Sequence, residues 1–302
     1  MKLTWIAVGA MALFGVSIQT GWGEEKKEEK PDAPVSKRLP GEAKVPTEKI
    51  TVFNGKNLDG LYTYIRDTKY EDPREVFTVK DGDLHISGDG WGYVATKQAY
   101  KDYHIVLEYR WGDRTWDSRK DRTKDSGLLV HSVGPDGGYG KGTWMPSIEV
   151  QIIEGGVGDF ILVRPDDPKT VPVPFYLTCE VDTDRDGEII WKKGGEKLTI
   201  TQEKSRRINW FGRDPDWEDK LGFRGKDDPD SPGKLWTRID VYCEGNTIKT
   251  FVNGVQVNAA IDCSPAEGQI QVQTELAEMF VRRWELYPIG EGPKPAPAEQ
   301  DE

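Results

Sequence analysis

The 302-residue chain has few cysteines and histidines, the side chains that hold most structural zinc sites. It holds three cysteines and three histidines, with no CxxC or Cys/His spacing that indicates structural zinc. Helical signals are also lacking, because no segment longer than two turns combines helical periodicity with capping residues. Apart from Leu3–Ile18, the chain contains no apolar run that is a candidate for crossing a bilayer. These absences argue against a zinc-stabilised, a helical or a multi-span membrane protein.

Basic residues are outnumbered by acidic ones. The formal net charge is -11, from 41 Lys and Arg against 52 Asp and Glu. Such a charge argues against nucleic acid or an anionic membrane surface as the partner. Eleven tryptophans are present, and indole rings stack on the apolar faces of sugars, although any single Trp is more often part of a core. The composition therefore favours a neutral small molecule, such as a carbohydrate, as the ligand.

The amino terminus resembles an export signal. The apolar run Leu3–Ile18 follows the charged Lys2, and Gly21 and Gly23 are small residues of the type that precede signal cleavage. A membrane anchor that stays attached is the alternative, but the run is shorter than the roughly 20 residues of a spanning helix. We therefore expect residues 1–23 to be a cleaved signal peptide. The mature protein would then be periplasmic or secreted, without a membrane span.

Composition divides the remaining chain into one folded span and two polar ends. Residues 24–47 combine charge and proline with few large apolar side chains, which predicts a disordered linker. Residues 290–302 are similar and are predicted to be a disordered tail. The span 48–289 contains no Pro/Ser-rich break and no internal repeat, and its length suits one large all-β domain. We therefore predict a single domain over 48–289.

The odd number of cysteines leaves their pairing open. Cys243 and Cys263 flank a predicted three-strand meander and are candidates for a disulfide, which leaves Cys179 free. Three reduced, buried thiols are about as consistent with the sequence.

Alternating polarity recurs along the domain. In Tyr103–Trp111 one face carries aromatic and aliphatic side chains, as expected of a strand with one buried face. Asn253-Gly254, between two further alternating runs, is typical of a type I′ hairpin turn. Many short strands with Gly, Asn and Asp turns predict an all-β fold, and we favour a two-sheet jelly-roll β-sandwich with a concave polar face. The other predicted strands are Glu75–Val79, Asp83–Ser87, Asp125–His131, Ser147–Glu154, Val173–Val181, Glu188–Lys192, Thr237–Cys243, Thr247–Val252, Val255–Asn258, Gln269–Thr274 and Met279–Tyr287.

Polar side chains on one face of Ser147–Glu154 indicate a candidate site. Glu149 and Gln151 alternate there with apolar neighbours, so they face away from the core. We expect Glu108 and Arg110, which alternate in the same way, to lie on the same concave face. The site prediction depends on this strand register, because a slip of one residue would turn every one of these side chains inward.

A second strand and a loop add to the candidate site. Asp125 and His131 lie at the two ends of a predicted strand and are an even number of positions apart. Their carboxylate and imidazole are therefore expected on the same face of that strand. A carboxylate, an amide and an imidazole beside aromatic residues suit a polyhydroxylated ligand. A glycine-rich loop that can move over a pocket joins the two strands, and it carries Tyr139, Lys141 and Trp144.

Six motifs occur along the chain in an order that resembles one known family. They are FNGKNL at 53–58, EYR at 108–110, DSGLLVH at 125–131, SIEVQIIEGGVGDF at 147–160, TFVNGVQV at 250–257 and GQIQVQTELAEMFVRRWEL at 268–286. Over roughly residues 50–288 the chain resembles the 3-keto-disaccharide hydrolase domain family. The resemblance implies a concanavalin-like jelly roll. It also implies an enzyme acting on 3-keto-glycosides as a 1,2-lyase or a 3-keto-2-hydroxyglucal hydratase, with net hydrolysis as the outcome.

The chain departs from the family pattern at several positions. Asp125 stands where the family has asparagine, and His131 stands where it usually has a closing arginine. Glu149-Val150-Gln151 matches the family's Glu-x-Gln, whereas Glu154 and Arg283 replace an aspartate and an asparagine. These departures bear on the choice of substrate more than on the fold.

The implied chemistry assigns a role to each kind of side chain. A ketone at C3 acidifies the proton on C2, so the C1 substituent can leave by β-elimination once a general base removes that proton. Glu149 is our first choice for the base, and a salt bridge to Arg110 or Lys124 is its structural alternative. His131 could act as acid or base, or simply be hydrogen-bonded. No cofactor is certain, but a divalent metal held by Asp125, His131 and Glu149 would stabilise an enediolate.

The predicted site therefore has a catalytic and a binding part. The catalytic candidates are Glu149, His131 and Asp125. The predicted substrate-binding residues are Arg110, Glu108, Gln151, Lys124, Tyr139, Lys141, Trp144, Gln273 and Arg282.

Two other functions compete with this hypothesis. Jelly rolls often serve as non-catalytic carbohydrate-binding modules, and fold alone does not separate the two. A conventional glycosidase would need a carboxyl pair flanking the C1–O bond, but the chain lacks the Glu-x-Asp-x-x-Glu strand of jelly-roll glucanases. We therefore rank elimination above direct hydrolysis. The sequence does not indicate an oligomeric state.

Overall fold

Short antiparallel strands make up nearly all of the regular structure. The computed structural model describes residues 42–171, 173–201, 203 and 207–301. The predicted signal peptide and most of the predicted linker lie outside these described residues. Two 3-10 turns, Asp117–Arg119 and Pro168–Thr170, are the other regular elements described. The strands are β1 Ile50–Thr51, β2 Leu61–Ile65, β3 Phe77–Lys80, β4 Asp83–Ile86, β5 Trp91–Thr96, β6 Tyr103–Thr115, β7 Asp125–Ser132, β8 Ser147–Ile153, β9 Phe160–Val163, β10 Tyr176–Thr183, β11 Ile189–Trp191, β12 Glu196–Thr201, β13 Arg207–Ile208, β14 Thr237–Glu244, β15 Thr247–Val252, β16 Val255–Ser264, β17 Gln269–Glu275 and β18 Ala277–Pro288.

These strands form two sheets. The wide sheet has the order β11-β10-β16-β15-β14-β6-β18-β4-β3, with β1 paired to β18 and β12 paired to β10. The narrow sheet has the order β13-β9-β8-β7-β17-β5-β2. Neighbours in space are often distant in sequence, as where β17 inserts between β5 and β7. This crossing of the chain between two antiparallel sheets confirms the predicted all-β jelly-roll sandwich.

One hydrophobic core fills the space between the sheets. Its largest members include Tyr103 and Trp284 of the wide sheet and Phe160 of the narrow sheet, each essentially inaccessible to solvent. Period-two alternation explains this arrangement, because each strand turns its apolar side chains inward. The three cysteines are all buried and free, so the structure matches the alternative of reduced thiols.

The carboxy-terminal segment differs from the expectation of a disordered tail. Its described part, 290–301, lies against the outer face of the wide sheet. The carbonyl of Lys294 accepts a hydrogen bond of 3.1 Å from Arg238, and the Asp301 carboxylate accepts from the Trp236 indole at 2.7 Å. Polar anchors of this kind were not visible in a composition that contains few apolar residues. Within the described residues, no helix is both long and apolar enough to cross a bilayer.

Candidate active site

The outward face of the narrow sheet is polar along its central strands. Pairing places Glu149 of β8 opposite Leu129 of β7, and Gln151 opposite Gly127. On the other side of β7, Gln271 of β17 also pairs with Leu129. Because directly paired residues point to the same side of a sheet, these polar groups share one surface. The predicted register of Ser147–Glu154 is therefore correct.

Glu149 lies over a glycine and next to an amide. Its carboxylate accepts a hydrogen bond from the Gln273 side chain, and only 5% of the residue is exposed. A Cβ atom at Gly127 would overlap both Glu149 Oε1 and Gln273 Oε1. Glycine is required at position 127 because the two side chains meet directly above its Cα. The amide oxygens of Gln151, Gln271 and Gln273 are buried and have no protein partner.

Asp125 is held by a cation and an amide. The Arg119 guanidinium forms an ion pair with the Asp125 carboxylate, and Gln151 Nε2 donates to Asp125 Oδ1 at 2.6 Å. The same guanidinium lies 3.3 Å from Glu275 Oε1. One arginine thus stands between two buried carboxyl groups, and it contacts Asp125 more closely than Glu275. This geometry favours an ionised Asp125 and a proton on Glu275.

Burial raises the pKa of every carboxyl group in this cluster. Desolvation, with the charge of Asp125 added, raises the pKa of Glu149 to about 8, against the opposing effect of Arg207. Desolvation also raises the pKa of Asp125 to about 6, although Arg119 lowers it. The pKa of Glu275 is raised well above its ordinary value by burial and by both neighbouring carboxylates. Carboxyl groups with separated pKa values can divide acid and base roles near neutral pH.

The glycine-rich loop 133–146 covers one side of this cluster. Tyr139 stacks on Trp144 at 6.0 Å between ring centroids, and burial followed by the charge of Glu149 raises the pKa of Tyr139. Asp136 fixes the loop to the sheet, since it accepts hydrogen bonds of 2.7 Å from Tyr62 and Tyr70 and of 2.5 Å from Tyr93. The predicted loop residues Tyr139 and Trp144 therefore lie at the site.

Comparison with known proteins identifies the family. A sequence profile of the 3-keto-alpha-glucoside-1,2-lyase-like domain matches residues 48–286. The chain belongs to this family. Membership agrees with the resemblance seen in the six motifs and supports a carbohydrate-active function. None of the curated proteins matches this chain.

Solved structures with similar folds include other carbohydrate-related proteins. A candidate glycosyl hydrolase from Parabacteroides distasonis aligns with a TM-score of 0.44 and 14% identity, over 80% of this chain and 94% of its own. A carbohydrate-binding module from Bacillus subtilis gives 0.40 and 10%, over 75% and 94%. The β-glucanase of Bacillus licheniformis gives 0.36 and 12%, over 80% and 97%. All these TM-scores are below 0.5.

His131 does not join the site. It has a φ of +54° at a point where the β7–β17 register shifts, so the alternation breaks and its side chain turns into the core. There it is fully buried, bonds the Pro265 carbonyl at 2.9 Å through Nδ1 and packs edge-on against Tyr103. Burial lowers the pKa of His131 to about 4. The prediction that His131 and Glu149 converge is wrong, because a β-bulge is invisible to a simple parity count.

The predicted metal ligands are separated by the same bulge. Asp125 and Glu149 lie on the polar face, whereas His131 lies between the sheets. Among the residues that the structure describes, no group of three or more His, Cys, Asp or Glu side chains is placed to bind a metal. The residues present therefore do not fit the metal site proposed from the sequence.

Three predicted binding residues lie on the wrong sheet. Glu108 and Arg282 form an ion pair of 2.7 Å on the outer face of the wide sheet. Arg110 is on the same face, over the Trp236 ring at 4.9 Å. β6 alternates as predicted, whereas β18 shifts its register between Val281 and Arg283. Alternation also does not reveal which of two sheets a strand joins. These three residues stabilise the outer face of the wide sheet and do not contribute to the predicted site.

Lys124 and Lys141 also lie away from the predicted site. Lys124 Nζ donates to the carbonyl of Gly112, a residue of β6 in the wide sheet, at 2.8 Å. Lys141 has an exposed side chain at the loop turn, where its backbone N–H donates to Asp166 at 3.0 Å. Neither residue contacts Glu149 through a described interaction.

Sequence reasoning missed four residues of the cluster. Glu275 shares the parity of Gln273 on β17, so the alternation that predicted one would have predicted the other. Tyr93 lies on β5, a strand that was not predicted because Trp91–Thr96 contains a glycine and a short apolar run. Arg119 ends the 3-10 turn Asp117–Arg119 and Arg207 begins the two-residue strand β13, and no local pattern shows where such residues converge.

Proposed function

We propose that this protein cleaves 3-keto-glycosides by removing the C2 proton and eliminating the C1 substituent. The observation that carries the proposal is Glu149, a buried carboxyl with a pKa of about 8, facing three unpaired glutamine amide oxygens. A base with a pKa near the working pH is most effective at proton abstraction. The unpaired amide oxygens suit the hydroxyl groups of a sugar ring.

Three residues, Glu149, Tyr139 and Glu275, would act in the elimination. Glu149 takes the proton from C2, and the electron pair of that C–H bond forms the enolate with the C3 ketone. The Tyr139 hydroxyl, close enough to Glu149 for its pKa to respond to that charge, donates to the enolate oxygen. The enolate then forms the C1–C2 double bond while the C1–O bond breaks. Protonated Glu275 supplies the proton that the leaving oxygen needs, and addition of water across C1–C2 completes a net hydrolysis.

The test is a paired incubation of glycosides with and without oxidation at C3. We expect cleavage of the oxidised compound only, and loss of turnover with retained binding in Glu149→Gln. Asp59→Asn, an exposed carboxyl change elsewhere, is the control and should behave as the wild type. Cleavage of the unoxidised compound would point to a conventional glycosidase. Binding of both without turnover would point to a carbohydrate-binding module.

A further inference from the structure

A cavity opens at the edge of the narrow sheet, where β13 meets β11 of the wide sheet through a bridge between Asn209 and Ile190. Its volume is about 570 Å³, and its lining includes Glu188, Arg207, Asn209, Arg213 and Trp217. None of these residues has a step in the elimination proposed above.

The cavity lies on the same face of the sheet as Glu149, on the side away from Glu275. Arg207 pairs with Ile161, which pairs with Glu149, so these three side chains point the same way. Two strand spacings of roughly 4.8 Å separate the backbones of Arg207 and Glu149, and the charge of Arg207 is close enough to lower the pKa of Glu149. Glu275 belongs to β17, which lies beyond β7 in the opposite direction. A ring over Glu149 with C1 towards Glu275 therefore directs its other end, which carries C6, towards the cavity.

Two arginines of the lining share one carboxylate. Asp159, which is inaccessible to solvent, accepts hydrogen bonds from Arg207 at 2.6 Å and from Arg213. One unit of positive charge is therefore left over within this group. Arg207 Nη2 and Arg213 Nε have no protein partner, and the Arg213 side chain is only 4% exposed. Because a buried cation without a counter-charge is costly, this arrangement favours an anionic ligand.

The neighbouring carboxyl groups oppose an anion only weakly. Glu188 is the one carboxylate among the described lining residues, and it is exposed and accepts a hydrogen bond of 2.6 Å from Asn209. Solvent and salt screen an exposed charge much more than a buried one. On the sheet itself, the nearby charge of Asp125 is balanced by Arg119. The excess positive charge of the lining is therefore not cancelled.

The amount of this charge selects a carboxylate over a phosphate. One unit of positive charge matches one carboxylate, whereas a phosphate monoester carries roughly −1.5 to −2 at pH 7. Guanidinium groups also hold planar carboxylates through paired N–H donors. The Arg213 guanidinium is kept in place by Trp217, since it lies over that ring at 4.6 Å from the centroid.

We propose that this cavity binds a carboxylate at C6 of the reacting ring, so that the preferred substrate is a 3-keto-uronide. The inference rests on the proposed function, which places the reacting ring over Glu149 with its leaving group towards Glu275. Arg207 and Arg213 would donate to the carboxylate oxygens. The neutral 3-keto-glycoside, with a hydroxymethyl group at C6, would leave the extra positive charge uncompensated.

The test is a binding measurement that needs no turnover. Methyl α-glucuronide and methyl α-glucoside differ only at C6, so calorimetry with both gives the preference of the protein for a carboxylate there. We expect the wild type to bind the glucuronide about tenfold more tightly, the effect of a hydrogen bond between charged groups. Arg207→Gln, in which Arg213 still balances Asp159, should lose most of this preference. Arg114→Gln, a change of an exposed arginine of β6, is the matched control and should keep it.

A second variant should change the affinity in the opposite direction. Glu188→Gln removes the carboxylate from the lining but keeps an oxygen that can accept the hydrogen bond from Asn209. The affinity for methyl α-glucuronide should therefore rise about two- to threefold, as expected for the loss of one exposed like charge. A fall in that affinity would contradict an anionic ligand.

Turnover of the same two sugars, oxidised at C3, separates this inference from the proposed reaction. A preference for the glucuronide without cleavage of either oxidised compound would support the carboxylate site, and only the reaction would fail. A wild type that binds the glucuronide no more tightly than the glucoside would overturn the carboxylate site, and cleavage of the oxidised glucoside would then leave the reaction standing. Tighter binding of methyl α-glucoside 6-phosphate than of the glucuronide would also overturn it.

Discussion

The carboxyl group of Glu149 is buried without a cation bound to it. Its described hydrogen-bond partner is the Gln273 amide, and its nearest charged neighbours include the like-charged Asp125. Ionisation in such a place is costly because neither water nor an ion pair compensates the charge. Asp125 differs in that Arg119 balances it directly. The same sheet face thus holds one carboxyl that is readily ionised and one that ionises only near pH 8.

The pH dependence of the rate follows from that raised pKa. A base must be deprotonated, so kcat/KM on a 3-keto-glycoside should rise about tenfold per pH unit up to about pH 8 and then level off. A pH–rate profile between pH 5 and about 9 checks this. A profile that is flat across this range, or that falls with rising pH, would exclude Glu149 as the base.

Gly127 determines whether Glu149 and Gln273 can meet. In Gly127→Ala the new methyl group would occupy the position of both side-chain oxygens and displace the carboxylate. We expect kcat to fall about 100-fold, the order of loss seen when a reacting group is misplaced by about 1 Å, while circular dichroism shows a folded protein. Ser126→Ala, on the opposite face of β7, is the control and should keep near-normal kcat. Normal turnover in Gly127→Ala would contradict the site geometry.

Individual side chains were predictable from sequence where alternation continued without interruption. Glu149, Gln151 and Gln273 face the site because β8 and β17 alternate regularly there. His131 was misplaced because the positive φ at that residue turns the chain through a bulge. A bulge depends on how two strands pair, and pairing is not encoded in either strand alone.

At the scale of elements, the Asp136 carboxylate ties loop 133–146 to tyrosines of the narrow sheet. Asp136 accepts from three tyrosine hydroxyls on or near β2 and β5, and two of those tyrosines also pack edge-to-face with each other. The glycines of the loop allow its turns, and Gly137, with φ +69°, sits against the Tyr64 hydroxyl. The position of Tyr139 therefore depends on the Asp136 contacts.

Asp136→Asn should loosen this loop. The amide cannot accept all three hydroxyl hydrogen bonds, because its nitrogen is a donor. We expect faster hydrogen–deuterium exchange in residues 133–146 and a several-fold lower kcat/KM. Asp59→Asn is again the matched control. Unchanged exchange in this loop would show that Asp136 does not hold it.

β14, β15 and the Asn253-Gly254 turn were located to within one residue, whereas β16 extends from the predicted Val255–Asn258 to Ser264. β2 and β5 were missed, although they carry Tyr62 and Tyr93. Both are short, and their side chains are tyrosine and small residues on the polar face, so the apolar/polar contrast is weak. The sequence also did not show which of the two sheets each strand joins. Arg110 was therefore placed at the site, although its strand belongs to the wide sheet.

At the scale of the whole molecule, the outer faces of the narrow and wide sheets have different roles. The narrow sheet presents the carboxyl cluster, and the wide sheet is partly covered by residues 290–301. Arg282 contacts Asp301 at 2.9 Å, Gln300 bonds the backbone of Trp236 at 2.9 and 3.0 Å, and Gly292 lies against the buried His104. The tail therefore shields polar groups on the face opposite the site.

Deleting residues 294–302 should lower stability without affecting chemistry. Several hydrogen bonds of about 1 kcal/mol each would be lost, and a loss of about 2 kcal/mol corresponds to a fall in Tm of roughly 4–8 °C for a domain of this size. Differential scanning fluorimetry and a kcat/KM measurement check the two parts. A loss of turnover with unchanged Tm would mean that the tail contributes to the site.

The most direct measurement of the central claim is the fate of the C2 hydrogen. Wild-type protein and Glu149→Gln are each incubated in D₂O with a 3-keto-glycoside, and NMR follows deuterium at C2 of the substrate and product. We predict that the wild type gives a cleaved product with deuterium at C2, while Glu149→Gln binds the substrate but neither cleaves it nor exchanges the hydrogen. Cleavage by the wild type with the original C2 hydrogen retained would contradict proton abstraction by Glu149.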